Sequence, residues 1–161
     1  QTKPVVRGVK TVSLFINLQH FDIVWGFVPD YMHCVLLGVG RQFLEYWLEG
    51  TKAKFYVGNK LAHLDDKLLV MRPPKDVGRL PRSLKERKFW KAKELESLIL
   101  YYSIPVLEGS LDSCYLRHWA LLVESLPVML QKKIFISDIN AIDVLMLELC
   151  SPQSTCMEEV V

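Results

Sequence analysis

Two local patterns carry residue types that can do chemistry. The first is Asp30-Tyr31-Met32-His33, running on through Cys34-Val35-Leu36-Leu37-Gly38-Val39. If Asp30 caps a helix, His33 lies one turn on and shares its side. A carboxylate beside an imidazole orients the ring and raises its basicity, which serves general-base work, metal ligation or structural anchoring. Cys34 is not a partner for that imidazole, because neighbours in a helix point about 100° apart. Zinc would need close ligand pairs, and His20, His63, His118 and the four scattered cysteines supply none. Neither G-x-x-x-x-G-K-[ST] nor G-x-G-x-x-G occurs, so no phosphate-cradling loop is in view.

The second pattern is electrostatic. The chain as a whole carries only +2, but Arg72, Lys75, Arg79, Arg82, Lys85, Arg87, Lys88, Lys91 and Lys93 fall within 22 residues, opposed by Asp76 and Glu86 alone. Nine against two gives that segment +7 and leaves −5 for the rest. Such a separation points to a polyanion-facing strip, with a solvated helix face as the plainer alternative. Trp90 lies inside it, in Lys88-Phe89-Trp90-Lys91. An aromatic among cations can stack on bases. Its place beside a leucine stripe favours a core anchor covered by lysine and arginine stems.

The elements that must position these residues read as mostly helical. The apolar stretch from Phe15 to Val28 has no helical period and suits a short strand or a packed extended segment. Asp30 should cap a helix over about 31–48, with Met32, Leu36, Val39, Phe43 and Trp47 on one face and Gly50 at its end. Residues 50–60 read as a loop, and Leu61, Leu64, Leu68 and Leu69 as a short helix with Asp65 and Asp66 on its polar side. Arg72-Pro73-Pro74 stops it and opens a basic loop to Pro81. Ser83-x-x-Glu86 is a capping box and predicts a helix to about Ser103, striped by Leu84, Lys88, Lys91, Leu95, Leu98 and Tyr102 and ended by Pro105. A further helix starts at Leu111-Asp112-Ser113, buries Tyr115, Trp119, Leu122 and Leu126, and should kink or break at Pro127. Ser137 or Asp138 caps a last one carrying Ile139, Ile142, Leu145 and Leu149. No repeat and no low-complexity tract interrupts this pattern.

Taken in order, these blocks resemble a known family. The run from Phe21 to Val39, then Arg79-Leu80-Pro81-Arg82-Ser83, Phe89-Trp90-Lys91-Ala92, Leu100 to Leu107 and Tyr115-Leu116-Arg117-His118 are similar to DDE/D transposases of the CACTA-like (CMC) group of animal mobile elements. The resemblance spans about 8–149. It implies a cut-and-paste enzyme with a ribonuclease-H-like core, in which three acids hold two Mg²⁺ or Mn²⁺ ions for phosphoryl transfer. Asp30 and His33 match the family's D-x-x-H signature.

The family's first two acids should precede residue 1 and the third should follow residue 161. The resemblance therefore assigns this chain no catalytic residue, no metal site and no cofactor of its own. The expected architecture is mainly α: a partial transposase domain over 1–149, with a D-x-x-H segment at 21–49, a basic loop at 72–83 and a helical insertion at 84–149. Residues 150–161 form a divergent or truncated tail. The expected partners are double-stranded DNA, met through Arg79, Arg82, Lys85, Arg87, Lys88 and Lys91, and further copies of the chain or other transposase chains. The resemblance implies a nuclear location. A domesticated, non-enzymatic helical module that binds protein is the competing reading.

Composition agrees with a single folded unit. The chain has 161 residues, half of them hydrophobic and about a quarter charged. No apolar run approaches the roughly 20 residues that span a bilayer, so no membrane role is expected. Sparse cysteines suggest reduced thiols in an intracellular protein.

Overall fold

A computed structural model describes residues 14–22, 26–73, 75 and 80–151, and every regular element among them is helical. The chain is mainly α. The segment expected to be extended contains instead a 3₁₀ turn, Leu14–Asn17. The rings of Phe15, Phe21 and Phe27 pack on one another there, with centroids 4.9–5.8 Å apart. Ile23, Val24 and Trp25 lie outside the described residues.

Helix formation begins at Asp30. Its carboxylate accepts the backbone N–H groups of Met32 and His33, which have no partner inside a helix. The helical run from Asp30 is two elements in one: a π-helix, Tyr31–Gly40, and an α-helix, α1, Arg41–Glu49. The π ladder bonds each carbonyl five residues on, so it puts more residues in each turn than the expected stripe allows. The buried set is Leu36, Gly40, Leu44, Trp47 and Leu48, while Met32 and Val39 face outward. Gly40 packs closely on a neighbouring segment. A Cβ there would stand 2.6 Å from Ile99 Cδ1, so a larger residue would require the buried Ile99 side chain to shift.

Helix α2, Leu61–Val70, comes after a 3₁₀ turn at Gly58–Lys60. Asp66 is exposed as expected, but Asp65 is buried. The Asp65 carboxylate turns inward because it has donors there: Ser83 Oγ at 2.7 Å and the Leu84 N–H at 2.6 Å.

The single helix expected over 84–103 is broken into four pieces. Ser83 does cap its start, accepting from the Lys85 N–H at 3.2 Å. Glu86 does not complete the box; it turns to Arg82. A 3₁₀ helix, Leu84–Phe89, comes first and gives way to extended backbone at Trp90 and Lys91. The chain restarts as α3, Ala92–Ser97, with Glu94 accepting the Lys91 N–H at 2.8 Å. A second π segment, Leu98–Tyr102, leads into α4, Ser103–Leu107. Pro105 lies within α4 rather than ending it, directly after a turn whose ladder has already left the i−4 pattern with which proline clashes. The helix ends two residues later at Leu107, and the chain turns away through Gly109 at φ 73°.

Helix α5, Ser113–Met129, is capped by Asp112 and passes Pro127 without breaking. Pro127 sits near the helix end, and the Leu130 N–H still closes on the Leu126 carbonyl at 3.0 Å. Helix α6, Ile136–Cys150, starts ahead of the expected caps. Phe135 precedes it, and Asp138 works from inside the first turn by accepting the Phe135 N–H at 3.0 Å. Helix α6 packs chiefly on α5 and buries only Ile142 fully.

The core gathers where α1, the Leu98–Tyr102 segment and α5 meet. Trp119 is its largest fully buried side chain, edge-on to Trp47 at 4.9 Å. Its indole N–H donates to Ser103 Oγ at 2.9 Å, and that hydroxyl donates to the Ile99 carbonyl at 3.1 Å. The four cysteines are not all thiols: Cys34 and Cys150 are free and exposed, whereas Cys114 is disulfide-bonded. No helix among the described residues is long and apolar enough to cross a membrane.

Candidate nucleic-acid interface

The basic segment owes its geometry to the 3₁₀ repeat. With three residues per turn, side chains at i and i+3 eclipse. Leu84 and Arg87 fall on the inner row, Leu84 buried and the Arg87 side chain only 13% exposed, and Trp90, just past the end of the helix, is buried as well. Lys85 and Lys88 fall on an outer row, and Lys91, on the extended backbone that follows the helix, is exposed as they are. Phe89, between the rows, is 79% exposed. Trp90 is thus a core anchor. Its carbonyl accepts from Arg41 at 2.9 Å, which fastens the far end of the segment to α1. Asp65 fastens the near end to α2.

Arg82, Arg87, Lys88 and Lys93 are engaged by acids, several of them far off in sequence. Arg82 bonds Glu86 at 2.8 Å and Glu94 at 3.1 Å. The Glu86 carboxylate holds the Arg82 guanidinium more firmly protonated than usual. Arg87 spans to Glu49 of α1 at 2.7 Å and caps the Leu84 carbonyl. Lys88 stands 3.6 Å from the same Glu49 but keeps 71% of its side chain in solvent. Lys93 pairs with Glu96. Lys85 and Lys91 have no ion pair among the described residues. Arg79 lies outside those residues.

Beside the segment, a groove of about 370 Å³ is floored by Leu68, Trp90, Leu98 and Tyr102, with Arg82 and Glu94 among its lining. The Trp90 Nε1 and Tyr102 hydroxyl are buried without a hydrogen-bond partner. Burial raises the Tyr102 phenol above its ordinary range.

No protein-family model matches the chain. No curated protein and no solved structure matches it either.

Asp30 and His33 come together as their spacing predicts, at the first turn of the π segment. His33 Nδ1 contacts Asp30 Oδ2, and the His33 N–H donates to that oxygen at 3.0 Å. The Met32 N–H reaches the other oxygen at 3.4 Å. The His33 ring holds the Asp30 carboxyl below the usual aspartate range, helped by the His33 N–H. Both residues are exposed, and both carboxylate oxygens already serve the helix start. Among the described residues no cluster of three His, Cys, Asp or Glu side chains could hold a metal. The donors present therefore do not fit the Mg²⁺ or Mn²⁺ pair that the resemblance implies for a complete core.

The sign of the Asp30 effect is fixed by its depressed pKa. A carboxylate whose pKa is lowered by folding stabilises the fold above its ordinary value and loses that contribution as pH falls through the depressed one. Protection of the Met32 and His33 amides, relative to their intrinsic exchange, should thus fall on acidification below the ordinary aspartate range, and in Asp30→Ala it should be lower than in the native chain above that range. Hydrogen exchange that ignores both changes would remove Asp30 from its capping role.

Proposed function

We propose that the chain is a fragment of a CACTA-like DDE/D transposase, catalytically inactive by itself, that contacts duplex DNA through the lysine row at 85, 88 and 91. The transposase origin rests on the ordered series of sequence blocks, and a mainly helical chain suits a D-x-x-H region with its helical insertion, separated from the ribonuclease-H-like core strands. The observation that carries the DNA contact is the row itself. Lys85, Lys88 and Lys91 are all exposed along one short segment, which the buried Leu84 and Trp90 hold to the core. Phosphates attract such a row without regard to base sequence, and the exposed Phe89 ring offers a stacking surface beside it. Arg82 and Arg87, tied to glutamates, hold the face in place rather than meet DNA. Such a chain works in the nucleus, where its DNA is.

Anisotropy of a labelled duplex tests this. Three phosphate contacts give a salt slope near −2.7, so raising salt from about 50 to 200 mM should weaken binding by about 40-fold. Lys85→Ala, Lys88→Ala and Lys91→Ala together should flatten that slope while leaving the circular dichroism unchanged. No binding at low salt, or binding indifferent to salt, would sink the DNA reading.

One observation favours the alternative module that binds protein. Helix α6 turns Ile136, Val144 and Leu147 to solvent, each more than three-fifths exposed. An apolar stripe of this kind suits helix-mediated assembly, with copies of the chain or with other transposase chains, and such association resists salt.

A further inference from the structure

A second cavity, remote in sequence from the lysine row, is walled almost wholly by rings. It encloses about 220 Å³ between Phe43, Tyr46 and Trp47 of α1, Phe55 of the next loop and Tyr115 of α5. The rings stand as walls, not as a stack. Phe55 meets Tyr115 edge-on at 78° and 5.6 Å, Phe43 meets Trp47 at 60° and 5.7 Å, and Tyr46 meets Phe55 at 46° and 6.3 Å. The remaining lining is Gln42, whose amide donates to the Tyr46 hydroxyl at 2.6 Å, and His118.

We infer that this aromatic box is a binding site for a trimethylammonium group. Each ring face carries the negative lobe of a quadrupole, and several faces around one point attract a cation more than any neutral guest of the same shape. No lysine or arginine lines the box. Burial lowers the pKa of His118, so its imidazole adds no opposing charge near neutral pH. A protonated primary amine suits it poorly. Such an amine has three N–H donors and strong hydration, and the box presents few acceptors to replace that water. A trimethylammonium has no N–H to satisfy. The volume fits a head group and falls below the range that holds drug-sized ligands.

The test is a titration with choline chloride at constant ionic strength, following the choline methyl protons by NMR. Its control is 3,3-dimethylbutan-1-ol, the uncharged isostere. Choline should bind about tenfold or more tightly than the alcohol, with its methyl resonances shifted upfield by the rings. Tyr46→Leu removes an exposed wall without touching the core, and Phe55→Leu removes a half-buried one. Each should weaken choline binding several-fold with the helical circular dichroism intact. Equal or tighter binding of the alcohol would overturn the proposal, as would choline affinity unchanged in both variants. A parallel titration with Nε-trimethyl-lysine identifies the carrier. Tighter binding than choline points to a methylated lysine side chain, and weaker binding to a free quaternary amine; either order sustains recognition of the head group.

Discussion

Trp119→Ala is expected to cost about 3–5 kcal/mol, the largest effect of any single substitution here. The residue sits where three helical segments meet. Its ring is edge-on to Trp47 at 4.9 Å and tilted against Phe43 at 5.1 Å, and its N–H donates to Ser103. Removing it empties the centre of the core and takes away one of the rings that Trp47 and Phe43 pack against. Against a total stability of about 5–15 kcal/mol for a chain this size, that loss is a large fraction. Two smaller changes separate packing from hydrogen bonding. Trp119→Phe retains a ring but drops the donor, while Ser103→Ala leaves the indole N–H buried and unpaired, at about 1–3 kcal/mol. The double variant should therefore cost less than the sum of the two. Urea midpoints at constant m-value measure all of these. A shift below about 1 kcal/mol for Trp119→Ala would mean that the core does not close around this residue.

How much is legible in the sequence depends on how far apart the interacting residues are. Asp30 and Asp112 announce their helices because a cap acts on amides two or three residues on. Trp90 is readable as a core anchor because its neighbours along the chain already form an apolar pattern. The two π segments are not readable, since apolar spacings of three and four do not distinguish an i→i+5 ladder from an α-helix. The 3₁₀ helix does leave a signal over its own length: Lys85 and Lys88, both exposed, are three residues apart, as are the inward Leu84 and Arg87. An α period instead places Leu84, Lys88 and Lys91 on one stripe, and so groups two exposed lysines with a buried leucine. Charge suffers from distance in the same way. The local sum opposes nine basic residues with Asp76 and Glu86. The fold adds Glu49, Glu94 and Glu96, and these engage Arg82, Arg87, Lys88 and Lys93. The aromatic box joins Phe55 to Tyr115 across 60 residues of chain, and no local pattern marks either as a wall. The candidate site is thus legible as composition, while which of its cations stay exposed is set by the tertiary structure.

Asp65→Ala is the second large expected effect, and it differs in kind. Asp65 looks like an ordinary polar-face residue of α2, yet it is buried and receives Ser83 Oγ and the Leu84 N–H. The Leu84 N–H belongs to the first turn of the 3₁₀ helix, where no carbonyl of the helix itself can accept it. Alanine leaves that donor buried and unpaired and removes a hydrogen bond to a charged acceptor, together about 1.5–3 kcal/mol. The loss should be local first. Protection of amides in 84–89 should fall well before that of α5, because the Ser103–Trp119 contact does not depend on Asp65. Asp65→Asn should recover part of the stability, since its amide oxygen can still accept from Leu84, while its NH₂ group faces a serine hydroxyl already accepting from Lys85. The lysine row provides a functional readout. If Lys85, Lys88 and Lys91 act together because the segment beneath them is pinned at both ends, Asp65→Ala should weaken duplex binding although no charge on that face has changed. Removing one negative charge from the protein should by itself strengthen binding to a polyanion, so weakening would report lost geometry and not electrostatics. Unchanged protection in 84–89 would show that the Arg41 and Trp90 anchor alone holds the segment, and that Asp65 is dispensable to it.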